Sequence, residues 1–234
     1  LSLRPGERVL LVRDRAAFEF RFGAAAAGRI GGEFAGGTGL SNGGERIALG
    51  GAGGATVQDF SYDDRSPWPA AADGAGYSLV LVDPMRGPDH RLPANWRSSA
   101  APGGTPGGTD SVEFTGWAAA FGNPSPESDL DSDGRVALLE FASGDDPTSG
   151  NLDGVPLTAR SAGATVTVAF RRNLRARGLL FELESSSDLQ NWHPAGGNWQ
   201  AAGEQNLGDG TAMVLFSAPV ERAELYLRQR VSLR

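Results

Sequence analysis

The 234-residue chain has no cysteine, no lysine and only two histidines. Absence of cysteine removes disulfides, thiolate metal sites and thiol nucleophiles together. It does not exclude export, because bacterial secreted proteins often manage without disulfides. Absence of lysine removes Schiff-base chemistry and the phosphate-loop ammonium. All 21 basic side chains are therefore arginine, against 28 acidic ones, and the net charge of −7 repels phosphate backbones, which argues against general nucleic-acid binding. No apolar run approaches the roughly 18 residues that a membrane-spanning helix needs. What the chain does have is a 40% hydrophobic share, enough for real cores, and 34 glycines with 14 prolines, which point to many turns and short strands.

The clearest chemical signal is Asp129-Leu-Asp131-Ser-Asp133-Gly134-Arg135-Val-Ala137-Leu-Leu-Glu140. Aspartate at alternate positions, then glycine, then a glutamate six residues on, is a complete calcium-loop pattern. Calcium is a hard cation that takes several oxygen ligands. Asp129, Asp131 and Asp133 would converge on one centre, and Gly134 would permit the sharp turn that follows. Arg135 would contribute its backbone carbonyl, Ala137 would leave its place to a water, and Glu140 would close the site with both oxygens. Four carboxylates in twelve residues repel one another unless a cation sits among them; the bland alternative is a solvated acidic turn.

Three stretches differ in pattern. Residues 1–108 read as β-rich with tight turns. Residues 9–12 form a short apolar run expected to be buried, behind the turn Arg4-Pro5-Gly6-Glu7. Phe18, Phe20 and Phe22 alternate as in a strand, yet Asp14 is a good N-cap for a short helix carrying Phe18 and Phe22 on one side, and the helix is preferred. Ile47 and Leu49 mark a strand, residues 50–54 a turn, residues 56–62 the returning strand, and residues 77–82 another, ended by Asp83-Pro84. Residues 99–109, rich in glycine and proline, read as a linker. Residues 109–154 complete the linker and form a helical connector around the acidic loop. Phe114, Trp117, Ala118 and Phe121 recur at helical spacing before it, Leu138, Leu139 and Phe141 after it, and Gly144 is a natural stop. This segment is too small to hold a core alone. Residues 155–234 return to strands at 165–170, 179–184, 213–216 and 225–229, a spacing that predicts a small β-sandwich.

Other candidates carry blander readings. Arg171, Arg172, Arg175 and Arg177 lie between two strand-like runs and are expected at a solvated hairpin tip. The glycine-rich stretches 31–44 and 50–54 are followed by neither lysine nor a convincing helix, so they read as turns and not phosphate cradles. His90 and His193 sit in loops with no serine elbow or zinc spacing, and no catalytic residue is assigned. The five tryptophans could line a sugar-binding face, but Trp68, Trp96 and Trp192 fall inside motifs that look structural.

Those motifs carry a resemblance. Gly39-Leu-Ser-Asn-Gly-Gly-Glu45 leads into Ile47-Ala-Leu49, Val57-Gln-Asp59, Tyr62-Asp63, Trp68-Pro69, Asp73-Gly74-Ala-Gly76-Tyr-Ser-Leu79, Trp96 and Gly104-Thr-Pro-Gly107. In this order they resemble the lamin-tail domain in its bacterial form, an immunoglobulin-like sandwich, over nearly half the chain. The family's earlier strands would precede Leu1, so this chain, which does not start with methionine, reads as a piece of something longer that contacts a missing upstream region. Nuclear lamin function is not implied, since coiled-coil rod, basic import run and prenylation box are all lacking. The acidic loop with Gly144-Asp-Asp-Pro147 resembles the thrombospondin type-3 or dockerin-like calcium repeats of large bacterial surface proteins, although a cohesin-binding dockerin would carry two loops. Glu184-Ser-Ser-Ser-Asp188-Leu-Gln-Asn-Trp192 is similar to a C-terminal β-domain common in exported planctomycete and verrucomicrobial proteins.

The expected fold is therefore mainly β, with two immunoglobulin-like sandwiches joined by a helix–calcium loop–helix connector. The expected function is a non-catalytic, calcium-stabilised accessory, structural or adhesion region of a larger exported protein. It would be secreted or held at the cell surface and would meet a protein or polysaccharide surface. Two alternatives stand beside it. One is a dedicated glycan- or polymer-binding module. The other is the C-terminal appendage of an upstream enzyme, because bacterial lamin-tail domains are often fused to spore-coat-type kinases, nucleases or phosphatases.

Overall fold

A computed structural model describes residues 3–36, 38–150, 157–196, 198–219 and 226–234. Among these the chain is mainly β, with strands in five sheets and four short α-helices. It forms two compact units, Leu1–Asp110 and Ser111–Arg234. The acidic loop and its helices thus belong to the same unit as the C-terminal strands. Leu225, expected on the last strand, lies outside the described residues.

In the first unit, β1 (Leu10–Val12) runs parallel to β2 (Ile30–Glu33), and helices α1 (Arg15–Phe22) and α2 (Ala24–Ala27) lie between them in the chain. Helix wins over strand at the three phenylalanines for a local reason. The Asp14 carboxylate accepts the Ala17 N–H at 2.9 Å, satisfying one of the orphan donors of the first turn. Phe18 and Phe22, one turn apart, bring their rings to 4.7 Å, while Phe20 on the other side is 95% exposed. The expected burial of the first strand holds for Val12 and not for Leu11, which is exposed. Strands β3 (Glu45–Gly50) and β4 (Thr56–Tyr62) form an antiparallel hairpin, and β5 (Leu79–Leu81) pairs with β6 (Trp96–Ser98). The six strands of this unit pair only two by two among the described residues.

The stretch expected as a linker is held to its own unit. Gly103 N–H donates to Gly76 O at 2.6 Å, and Ser99 N–H to Ser78 O at 2.8 Å. The buried Arg97 guanidinium pairs with Asp110 at 2.8 Å, and Asp110 also accepts Ala100 N–H at 2.7 Å. Composition suggested freedom here; a buried ion pair removes it, because an unpaired arginine in that position would be costly.

Among its described residues the second unit contains α3 (Phe114–Ala118), extended by a 3₁₀ turn to Phe121, then α4 (Ala137–Ser143) and seven strands. These are β7 (Thr158–Ala162), β8 (Thr165–Asn173), β9 (Leu179–Ser186), β10 (His193–Pro194), β11 (Gln200–Asn206), β12 (Thr211–Pro219) and β13 (Tyr226–Leu233). They form two antiparallel sheets, in the orders β11-β12-β8-β7 and β10-β9-β13. Phe170 on β8 stacks on Phe216 of the same sheet at 6.0 Å and on Phe181 of the other at 5.8 Å, so the apolar faces of the two sheets meet. A second apolar cluster joins Phe114, Ala118, Ala137 and the fully buried Phe141 to Val112, Trp117, Leu138, Ala176 and Leu179. The helices flanking the acidic loop are thus part of the core, where a fully buried phenylalanine contributes roughly 1.5–3 kcal/mol.

Candidate metal centre

The loop between α3 and α4 is set by short-range bonds. Asp129 Oδ2 accepts Gly134 N–H at 3.0 Å, Asp131 Oδ1 accepts Asp133 N–H at 3.1 Å, and Asp133 Oδ1 accepts Arg135 N–H at 2.7 Å. Each aspartate thereby spends one oxygen on the loop's own backbone. Gly134 takes φ = 90°, which a side chain would resist. The loop closes onto α4 when Ala137 N–H donates to Ser128 O at 2.7 Å and Leu138 N–H to Pro126 O at 3.0 Å. The Ala137 methyl is fully buried against the aromatic cluster.

Carboxylate oxygens of Asp129, Asp131 and Asp133 lie within 4.8 Å of one another. Glu140, one turn into α4, does not share that circle but is 1% exposed, and the charges of Asp131 and Asp133 act on it. Neither of its oxygens finds a hydrogen-bond partner among the described residues, and the same holds for Asp131 Oδ2 and Asp133 Oδ2. Buried carboxylate oxygens without donors are costly, and like charges this close raise the cost. Burial, reinforced by Asp131 and Asp133, pushes the Glu140 carboxyl up to about 7, against the opposing pull of Arg135. Bare carboxylate oxygens are the donors that a hard cation such as calcium takes. Three aspartates from the loop and the buried Glu140 of α4 are oxygen donors of the kind that a calcium ion takes, while the Arg135 carbonyl stands as an expectation of the loop pattern.

The Arg135 side chain was assigned no role by its position in the loop pattern. It is buried, and its Nη2 donates to Asp145 Oδ2 at 2.5 Å and to Ser143 Oγ at 2.6 Å. Asp145 was visible in the sequence only as part of Gly144-Asp-Asp-Pro147. Gly144 ends α4 with φ = 85°, and a Cβ there would come within 2.9 Å of Thr211 Cγ2. The arginine cluster departs only in part from its expected solvated tip, since Arg171 is largely buried while Arg177 stays half-exposed. Arg171 and Arg172 lie on β8 and pair with Asp209 at 2.6 Å and Glu204 at 2.8 Å, while Arg177 reaches Glu113 at 3.3 Å. Carboxylates from the β11–β12 hairpin, distant in sequence, hold the first two.

Among the described residues, the remaining candidates form no second centre of this kind. His90 sits among aromatic rings, 5.2 Å from Phe60 and 5.8 Å from Trp96, and its carbonyl accepts Trp96 Nε1–H at 2.9 Å. His193 lies exposed on the two-residue strand β10. All five indoles are buried or half-buried. Trp117 packs on Phe141 at 5.4 Å, and Trp192 is covered by the Arg228 guanidinium at 4.3 Å. An open cleft of about 610 Å³ in the first unit is lined by Arg8 and Arg29, whose guanidiniums donate to the Gly108 and Gly107 carbonyls.

No protein-family model, curated protein or solved structure matches the chain.

Proposed function

We propose that this chain is a non-catalytic, calcium-braced β-rich region of a larger exported bacterial protein. It would be secreted or held at the cell surface, serving as spacer, adhesion or anchoring module against a protein or polysaccharide surface. One observation carries the proposal: Glu140 is buried with both oxygens bare beside three converging aspartates. The motif resemblances supply the context, a lamin-tail-like first unit and an exported-type C-terminal β-domain, each an immunoglobulin-like sandwich. Two antiparallel sheets meeting at Phe170 and Phe181 support the sandwich reading of the second unit. A glycan-binding module would need an exposed aromatic platform, and the covered indoles favour the bracing role over it.

The test is calorimetric titration of the full chain with calcium chloride. One ion should bind, with a dissociation constant on the order of 10⁻⁴ to 10⁻³ M, as in extracellular modules. Magnesium should substitute poorly, because it gives up its waters reluctantly for an all-protein site. Glu140→Gln should abolish the calcium heat. A flat titration of the wild type would sink the proposal.

A further inference from the structure

Behind the carboxylates runs a line of charged groups that ion binding itself does not use. Arg135, whose backbone N–H holds Asp133, turns its guanidinium inward to Asp145 Oδ2, with side-chain exposures of 7% and 11%. The other Asp145 oxygen lies 3.5 Å from Arg171 Nη1 on β8. Arg171 then donates through Nε to Thr211 Oγ1 at 2.9 Å and through Nη2 to Asp209 Oδ2 at 2.6 Å. Asp209 in turn accepts the Thr211 N–H at 2.9 Å, where β12 begins. Two direct contacts run alongside. Asn173 Nδ2 donates to the Phe141 carbonyl at 3.0 Å, and the αL turn at Gly144 rests on Thr211.

Resting on the calcium reading above, we infer that this buried line transmits occupancy of the loop into the four-stranded sheet. A bound cation would fix the end of the sheet where β8 meets β12, and a change at that end would alter affinity at the loop. The physical reason lies in Arg135. Its Nε and Nη1 find no partner among the described residues, so Asp145 and Ser143 hold a buried charge almost alone. Asp145 is shared with Arg171, and its placement therefore depends on both ends of the line. Drawing Asp133 and Glu140 onto an ion fixes the backbone two residues before and five residues after Arg135, and with it the guanidinium that locks Asp145. Such coupling is reciprocal by thermodynamic necessity.

The experiment combines calcium calorimetry with amide hydrogen exchange on the full chain, in calcium and in chelator. In the wild type, calcium should slow exchange of the paired amides 168–173 and 211–216 by about tenfold or more. Arg171→Met should bind calcium about tenfold more weakly, and once saturated should leave exchange at those amides unchanged. If Arg171→Met does not fold, Asp209→Asn, at the half-exposed far end of the line, should show the same loss to a smaller degree. One bound calcium with unresponsive amides in the wild type overturns the inference and leaves the calcium reading intact. A saturated Arg171→Met or Asp209→Asn that responds as fully as the wild type also overturns it. No calcium binding by the wild type overturns both.

Discussion

Two acid-bearing turns of the second unit treat their carboxylates in opposite ways. At residues 186–192, Asp188 Oδ1 accepts Ser186 Oγ–H at 2.9 Å and the N–H groups of Gln190 and Asn191 at 2.9 and 2.8 Å, and Oδ2 accepts Asn191 Nδ2–H at 2.8 Å. These donors, the Asn191 N–H foremost, hold the carboxyl well below the usual carboxylate range. At residues 129–140 the backbone takes one oxygen from each aspartate and leaves others bare, and buried Glu140 shifts the other way, up to about 7. The turns differ in acid content, one carboxylate against four, and also in donor supply, which is complete in the first and partial in the second. A turn that saturates its own carboxylate is complete as a structural element, whereas one that buries unsatisfied oxygens together carries an uncompensated cost, which the proposed calcium ion would offset.

The sharpest way to break this contrast is Glu140→Gln. A carboxyl whose folded pKa is raised contributes its stability below the unfolded value and loses it as pH rises through about 7. At pH 8 in chelator the substitution should therefore stabilise the protein, by on the order of 1–3 kcal/mol, because it removes a buried repelling charge. In calcium it should abolish the gain that the ion provides. Urea melts in both buffers would show this reversal, and a loss of stability in chelator would erase the distinction between the turns. A smaller effect is that of the ion itself. At tenfold excess over the dissociation constant, calcium should stabilise the wild type by about 1.4 kcal/mol, and Asp131→Ala should remove that increment in thermal melts.

The smallest effect belongs to the saturated turn. Asp188→Asn should lower stability modestly and equally in calcium and chelator. Because the folded pKa of Asp188 is depressed, its contribution is complete above the ordinary carboxylate value and is lost as pH falls further. Variant and wild type should therefore differ at pH 7 and converge as the pH is lowered below about 4. Melting points measured across pH would reveal a calcium-dependent Asp188→Asn, which would make the two turns alike.

The elements that were legible in the sequence depend on neighbours a few residues away. Asp14 caps α1 through Ala17, three residues on, and Phe18 reaches Phe22 one turn later. Gly144 ends α4, and the glycine turn after Gly50 returns β3 into β4. The convergence of Asp129, Asp131 and Asp133 was legible too, since it follows from their alternate spacing in the loop. Harder to read was anything that joins distant residues. The linker-like stretch before Asp110 is held by Arg97, 13 residues earlier, and its glycines and prolines say nothing of that pair. Arg171 finds Asp145 and Asp209, 26 and 38 residues away, so the local arginine cluster looked solvated. The order β11-β12-β8-β7 likewise rests on register between distant strands.

By itself, the sequence determined the convergence of the three loop aspartates, the short helices beside them and the β-rich character of the chain, because capping, turn chemistry and residue spacing act over one or two turns of backbone. Tertiary structure alone decided that Glu140 is buried without donors among the described residues, that Arg135 faces inward, and that the acidic loop shares a core with the C-terminal strands. Burial and ion pairing are set by which surfaces meet, and a charge's fate depends on the dielectric and the donors found there.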